Sequence, residues 1–305
     1  MKNIRSILTI IICLLVSEVY AQYSYTSYKN YWFKKFLTTE TLVPITGIQS
    51  VDNKIRETLS EHWTYTDLRY VPVDDLDDYK ETDNVSIINL FSYNINNAFG
   101  NTSLCLYIPA NIDETRLTNV IASVPIKCGF PYKENFEAEC GFEQIDYKIS
   151  ILLKQLIEVI EFVVNEKYKP TLAHVTGINK YVEQFNHKVK SIYHVKYKTL
   201  LLSDDFFNNK MDPTKFKKYY KLDFKIVDEK EYQEIVNSES EEYLILTQSN
   251  IPNNIITVFD FEKRETLYIG LNFAKSPFTT VSKMSRLNRK QVKRLNKHIQ
   301  KITGQ

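Results

Sequence analysis

The pentapeptide DLRYV (Asp67–Val71) returns in altered form as DFKIV (Asp223–Val227), and similar segments surround the two stretches. In each case an apolar segment of strand length and an amphipathic helix come before the pentapeptide, and an acidic stretch with apolar residues three apart follows it. A strand–helix–strand unit places its helix across one sheet face, and later strands can extend that sheet antiparallel. The pattern predicts an α/β (α+β) module with a mixed sheet and two layers.

The predicted elements occur in the same order in both halves of the chain. The first set comprises strands Leu42–Ile45, Leu68–Val73, Ser86–Phe91 and Ser103–Ile108, with a helix over Asp52–Trp63. The second set comprises strands Leu200–Leu202, Phe224–Val227, Tyr243–Thr247, Ile255–Phe261 and Glu265–Ile269, with a helix over Pro213–Lys221. Any α/β chain can supply such an order by coincidence, but the matching pentapeptides favour an internal duplication.

A helical segment separates the two modules. Apolar residues recur three and four apart from Ile145 to Val164, and Lys169-Pro170 ends the pattern. Charged residues interrupt the apolar stripe at Lys154, Glu158 and Glu161, which favours a core helix over a membrane span. A second helix is predicted from Ile178 to Ile192. The predicted organisation is a signal peptide (1–21), an aromatic arm (22–40), a first module (41–143), a helical connector (144–198), a second module (199–280) and a basic C-terminal helix (281–305).

The second module resembles the amino-terminal domain of TolB and the related CsgG-type periplasmic domains. The resemblance is carried by the hydrophobic spacing of three segments, Leu222–Asp228, Glu242–Leu246 and Val258–Leu267. It covers roughly seventy residues and involves no signature residue. The resemblance implies a non-catalytic module of the cell envelope that binds other proteins.

The first 21 residues have the layout of a secretory signal peptide. Lys2 and Arg5 precede an apolar run from Ile7 to Val16, and Val19 and Ala21 occupy the positions that a signal peptidase requires to be small. Cleavage is expected before Gln22, since the apolar run is about half the length of a membrane span. An uncleaved anchor is the alternative. Lipidation of Cys13 is not expected, because the bulky Ile12 precedes it.

Three cysteines remain after signal removal, in a compartment that permits disulfides. Cys128 and Cys140 flank a short loop, and the sequence leaves a disulfide between them and a pair of buried thiols equally open. Because the count is odd, at least one thiol stays free or pairs between chains. The cysteine spacing, without a nearby histidine, is not a zinc pattern.

Charge is unevenly distributed in a chain whose formal net charge is +2. The last 23 residues contain eight basic residues and no acidic one, whereas residues 22–282 carry a net charge of about −7. We predict a partner-binding basic face on the C-terminal helix, made by Arg286, Arg289, Lys290, Lys293, Arg294 and Lys297. An amphipathic basic helix can lie on an anionic membrane, on nucleic acid or on an acidic protein surface. Export argues against nucleic acid, and the lack of Trp or Phe on the apolar side favours an acidic protein surface over peripheral membrane contact.

Residues with catalytic or metal-binding potential are sparse. The four carboxylates at positions 74, 75, 77 and 78 lack the glycine and the spacing of a calcium loop, so a solvated segment is expected there. None of the five histidines has metalloprotease spacing, and the seven glycines form neither a phosphate loop nor a nucleophile elbow. We therefore predict no catalytic residue, no metal site and no cofactor, although a triad assembled in space stays open.

An aromatic segment precedes the first module. Seven aromatic residues lie between Tyr23 and Phe36, with Lys29, Lys34 and Lys35 among them. Such a segment can bind sugar rings or a partner groove. Packing over the first module is the favoured interpretation, because so apolar an arm is rarely left exposed.

Two functional hypotheses follow. The first is an exported protein of the cell envelope that acts as a non-catalytic binding or structural component, with a protein partner and no membrane span after signal cleavage. The second is a secreted hydrolase whose site lies in the cleft between the modules.

Overall fold

The computed structural model describes residues 30–95, 99–110, 119–126, 141–166, 185–186, 197–208, 211–249, 254–272 and 287–303. The predicted signal peptide, Cys13, Cys128, Cys140 and Arg286 lie outside these ranges, as does most of the predicted helix from Ile178 to Ile192. The described residues divide into two compact units, one within residues 30–166 and the other within residues 185–303. We call the elements of these units the first and the second module.

The first module is built on a five-stranded mixed sheet with strand order β2-β1-β3-β4-β5. Strand β1 is parallel to β2 and β3, and the pairs β3–β4 and β4–β5 are antiparallel. Its strands are β1 (Glu40–Ile45), β2 (Leu68–Pro72), β3 (Val85–Ile95), β4 (Phe99–Tyr107) and β5 (Val120–Ile126). Its helices are α1 (Asn30–Phe36), α2 (Gln49–His62), α3 (Ile149–Glu166) and the 3₁₀ segments η1 (Val73–Tyr79) and η2 (Phe142–Lys148).

The second module has the same topology, with strand order β7-β6-β8-β9-β10. Strand β6 is parallel to β7 and β8, and the pairs β8–β9 and β9–β10 are antiparallel. Its strands are β6 (Thr199–Ser203), β7 (Phe224–Val227), β8 (Tyr243–Ser249), β9 (Asn254–Asp260) and β10 (Glu265–Asn272). Its helices are η3 (Asp204–Phe206), α4 (Pro213–Tyr219), α5 (Glu229–Asn237) and α6 (Arg289–Thr303). The predicted fold class, two related α/β modules with mixed sheets, is therefore confirmed.

The two sheets share a β-bulge at the same place. In the first module Leu106 pairs with Ala122 and Tyr107 with Val120, so the register skips Ile121. In the second, Val258 pairs with Tyr268 and Phe259 with Thr266, so the register skips Leu267. Strand pairing makes Leu106 the counterpart of Val258, which puts both bulges at equivalent positions. Because β-bulges are conserved within protein families, the equivalent bulges are evidence for a duplication in addition to the shared strand order.

Helix α3 is part of the first module rather than a connector. It packs against α2 and against β4 and β5, and it is nearly surrounded, with Ile149, Leu156 and Ile160 at most 1% exposed. A helix that is apolar on most sides is a core helix, as the sequence predicts. Residues 144–166, which the sequence analysis assigns to a connector, therefore belong to the unit of the first sheet, which α3 helps to cover.

A separate apolar cluster covers the other face of the first sheet. Leu76 from η1 packs with Leu42, Val71 and Ile87 of the strands. A right-handed crossover from β2 back to β3 places η1 on the face opposite α2. The four aspartates of η1 are exposed while Leu76 is buried, so the predicted solvated acidic segment is found, as a 3₁₀ helix.

The described part of the aromatic segment packs into the first module. Helix α1 contacts β5, and Phe36 is fully buried against Trp63 and Tyr65 at ring distances of 6.1 and 6.4 Å. Tyr31 stays 57% exposed, so only one side of α1 contributes to the core.

Candidate functional site: a basic two-helix face

The C-terminal helix α6 is divided sharply into an apolar and a basic side. Val292, Leu295 and Ile299 are fully buried, and α6 packs on β10 and α4. All six basic residues of the helix are exposed, namely Arg289, Lys290, Lys293, Arg294, Lys297 and Lys301. At 100° per residue, these six lie within a sector of about 140°, opposite the buried residues.

The start of α6 is set by local hydrogen bonds. The Oδ1 atom of Asn288 accepts from the backbone N–H of Lys290 at 2.9 Å and of Gln291 at 3.1 Å. In return, Oε1 of Gln291 accepts from the backbone N–H of Asn288 at 3.3 Å and from its Nδ2 at 2.7 Å. This reciprocal arrangement is a capping box. It holds the first turn, which carries Arg289 and Lys290, in one orientation.

The far part of α6 is anchored on the bulge of the sheet. The Nε2 atom of His298 lies 2.9 Å from the carbonyl oxygen of Leu267, the residue that the register skips. The His298 ring also packs on Tyr268 at 5.1 Å. Burial raises the pKa of Tyr268 to about 12, and the charge of Arg294 opposes that rise. The tyrosine hydroxyl is therefore neutral next to the basic helix at physiological pH.

Helix α4 extends the basic face. The Asp212 side chain caps α4 by accepting from the backbone N–H of Lys215 at 2.8 Å, and Pro213 follows at the first helical position. That hydrogen bond, with the Lys215 charge, lowers the pKa of the Asp212 carboxyl. Phe216 is fully buried, whereas Lys215, Lys217 and Lys218 are exposed.

Tyr219 and Asn296 join the two helices. The Arg289 guanidinium lies 5.0 Å from the centroid of the Tyr219 ring, and the Lys293 ammonium lies 5.3 Å from it. The Oδ1 atom of Asn296 accepts from the backbone N–H of Lys221 at 2.8 Å. Tyr219 therefore lies between α4 and α6, and we call the exposed cations of these two helices the basic face: Lys215, Lys217, Lys218, Arg289, Lys290, Lys293, Arg294, Lys297 and Lys301.

Among the described residues, one carboxylate forms an ion pair with the basic face. Lys215 forms an ion pair with Asp212 at 2.9 Å. For the other eight cations, the described residues contain no carboxylate within ion-pair distance. Helices α4 and α6 themselves contain nine basic and no acidic residues. Like charges four residues apart on a helix destabilise it by roughly 0.2–0.5 kcal/mol per pair, so the face works against the stability of its own helix.

The helices of the first module that correspond to α4 and α6 have a net negative charge. Its helices α2 and α3, which follow the equivalent strands, contain six acidic and three basic residues. The basic charge is thus not a requirement of the fold, because the same architecture forms without it.

The structure groups five of the six residues predicted for the basic face and adds four to them. Arg289, Lys290, Lys293, Arg294 and Lys297 lie together on α6, and Arg286 lies outside the described residues. The additions are Lys301 and the three lysines of α4. The run KFKKYYK at 215–221 is visible in the sequence, but nothing local indicates that it packs beside residue 289.

Other chemistry-bearing residues have structural contacts. Nδ1 of His62 lies 3.4 Å from the ammonium of Lys154, and His298 contacts the bulge. Cys105 is buried and free, and burial raises its thiol pKa well above the usual range. Within the described ranges, no group of three or more His, Cys, Asp or Glu side chains is arranged to hold a metal ion. Among the described helices, none combines the length and the hydropathy needed to cross a bilayer.

The comparisons with known proteins give no relatives. No family model matches the chain, and neither the curated proteins nor the solved structures contain a significant match.

Proposed function

We propose that the protein is an exported, non-catalytic binding protein that docks on an anionic partner through the basic face of its second module. The observation that carries the proposal is the set of eight exposed cations without a carboxylate partner among the described residues. Uncompensated like charges cost stability, and a partner of opposite charge removes that cost while gaining Coulomb energy.

Export and an envelope location are part of the proposal. The layout of residues 1–21 supports secretion, and the resemblance of the second module to TolB-type and CsgG-type domains supports an envelope binding role. The hydrolase hypothesis stays a prediction without an observation in its favour, because the described histidines His62 and His298 make contacts within the helices and sheets.

The proposal is tested by retention of the purified mature protein on anionic supports. The panel consists of immobilised heparin, polyglutamate and vesicles that contain an anionic phospholipid. The test variant, Lys290→Gln with Lys297→Gln, removes two exposed charges that form no ion pair, side-chain hydrogen bond or ring contact within the described residues. The matched control, Lys80→Gln with Lys230→Gln, removes two charges elsewhere, from side chains that are 65% and 87% exposed.

We expect the test variant to elute at lower salt than the control from at least one support, because only the test variant weakens the basic face. If the two variants elute together on all three supports, net charge alone explains retention and the proposed function is wrong.

A further inference from the structure

We infer that the partner of the basic face is the surface of an anionic phospholipid membrane, which the protein binds through phosphate head groups without inserting apolar side chains. This inference rests on the proposed function and names its partner class.

The apolar side of α6 is not available to a membrane. Leu295 and Ile299 are fully buried, and Leu287 and Ile302 are at most 3% exposed. The absence of Trp and Phe from this side would disfavour a helix that inserts into the bilayer. Because the apolar side of α6 is already packed inside the second module, α6 would not insert into the bilayer. The lack of Trp and Phe therefore does not count against membrane binding, which would be electrostatic.

The composition of the face does not match a protein interface. Protein interfaces have an apolar core, and lysine is depleted in them. Seven of the nine cations of the basic face are lysines. The large apolar side chains that are exposed in the described part of the chain, Tyr31, Leu37 and Tyr197, all lie outside α4 and α6. A partner recognised by charge density alone fits this surface better than an acidic folded protein.

The width of the face argues against nucleic acid. The major groove is about 12 Å wide and admits one helix, whereas two helices packed side by side measure roughly 20 Å across. Single-stranded nucleic acid is bound by exposed aromatic platforms. Tyr219 is the aromatic residue between the helices, and it is only partly exposed, with Arg289 and Lys293 next to its ring.

An extended anionic plane fits the remaining features. From Arg289 to Lys301, α6 runs for about 18 Å with its cations on one side, and the neighbouring α4 adds three exposed lysines. Each Lys or Arg close to an anionic membrane contributes about a fivefold increase in affinity, so several moderate contacts suffice without an inserted anchor.

The experiment is co-sedimentation of the full mature chain with vesicles of phosphatidylcholine, with and without phosphatidylglycerol, at low and at physiological ionic strength. We expect binding only when phosphatidylglycerol is present, and weaker binding at the higher ionic strength. Lys290→Gln with Lys297→Gln should lower the affinity about 25-fold, from two cations at about fivefold each. The control Lys80→Gln with Lys230→Gln should change it less than about twofold. Circular dichroism of each variant establishes that it is folded.

Three results would overturn the inference. The first is no binding of the wild-type chain to phosphatidylglycerol vesicles at low ionic strength. The second is an equal loss in the test and control variants. The third is tighter binding to a DNA duplex or to polyglutamate than to the vesicles at the same ionic strength. If that tighter binding depends on Lys290 and Lys297, the proposed function stands and only the assignment of a membrane as the partner fails.

Discussion

At the residue scale, one position shows how the two modules have diverged. Lys198 lies 2.6 Å from the Asp260 carboxylate and 2.9 Å from Glu262, and Asp260 is fully buried. Strand pairing makes Thr39 the counterpart of Lys198 and Ile108 the counterpart of Asp260. Where the second module has a buried ion pair, the first module therefore has a threonine hydroxyl and an isoleucine alkyl side chain.

This comparison predicts the energetics of the ion pair. Asp260→Ile alone leaves the ammonium of Lys198, whose side chain is 9% exposed, without its closest partner and should lower the free energy of unfolding by about 3–5 kcal/mol. The double variant Lys198→Thr with Asp260→Ile copies the first module, and it should recover most of that loss, since apolar replacements of buried ion pairs are often neutral. Urea denaturation measures both. A double variant no more stable than Asp260→Ile would show that the surroundings of the two positions differ too much for the exchange.

At the element scale, the β-bulge and the C-terminal helix depend on each other. The bulge leaves the Leu267 carbonyl outside the regular pairing with β9, and His298 of α6 approaches it. The Leu267 side chain is itself fully buried. A single extra residue in β10 thus both fills the core and provides an attachment point for the helix that presents the basic face.

The apolar side of α6 should account for its attachment to the second module. Leu295→Ala removes a fully buried side chain and should lower the free energy of unfolding by about 2–5 kcal/mol, from lost burial and an unfilled cavity. Lys297→Ala changes an exposed side chain two residues away and should change the free energy of unfolding by about 0.5 kcal/mol or less. Thermal or urea unfolding compares the two, and equal effects would mean that α6 is not part of the cooperative core.

At the scale of the whole molecule, each module has the components of an independent domain. Each has its own five-stranded sheet and helices packed on it, and the two sheets share strand order and bulge position. The main difference in the helix layer is charge, acidic in the first module and basic in the second. After a duplication, one copy can keep the fold while its surface acquires a new partner.

This independence predicts that the fragment Val175–Gln305 folds alone. Its core lies within the fragment, because β6 to β10 pair only with one another in the described residues. We expect a cooperative urea transition and an α/β circular dichroism spectrum. The fragment Ala21–His174 is the matched comparison. If Val175–Gln305 lacks a cooperative transition while the full chain has one, the second module needs the first in order to fold.

Sequence reasoning found most strands within a few residues but missed β5. Alternation and apolar runs mark β1 to β4 because each is long enough to bury one or both faces. The run VIASVPI at 120–126 contains a proline and small residues, which weaken the strand signal. The duplication provided a signal that could have found it, since its counterpart β10 is predicted at Glu265–Ile269.

The amino-acid sequence by itself determined the period of the apolar residues, and with it the helices, most strands and the repeated order, because these depend on neighbours along the chain. It also determined that the C-terminal helix is basic on one side. Only the tertiary structure decided that this helix turns its apolar side inward and lies beside the lysines of α4. The reason is that burial and Coulomb interactions depend on distance in space, and packing brings Arg289 to 5.0 Å from the Tyr219 ring although the two residues are far apart in sequence.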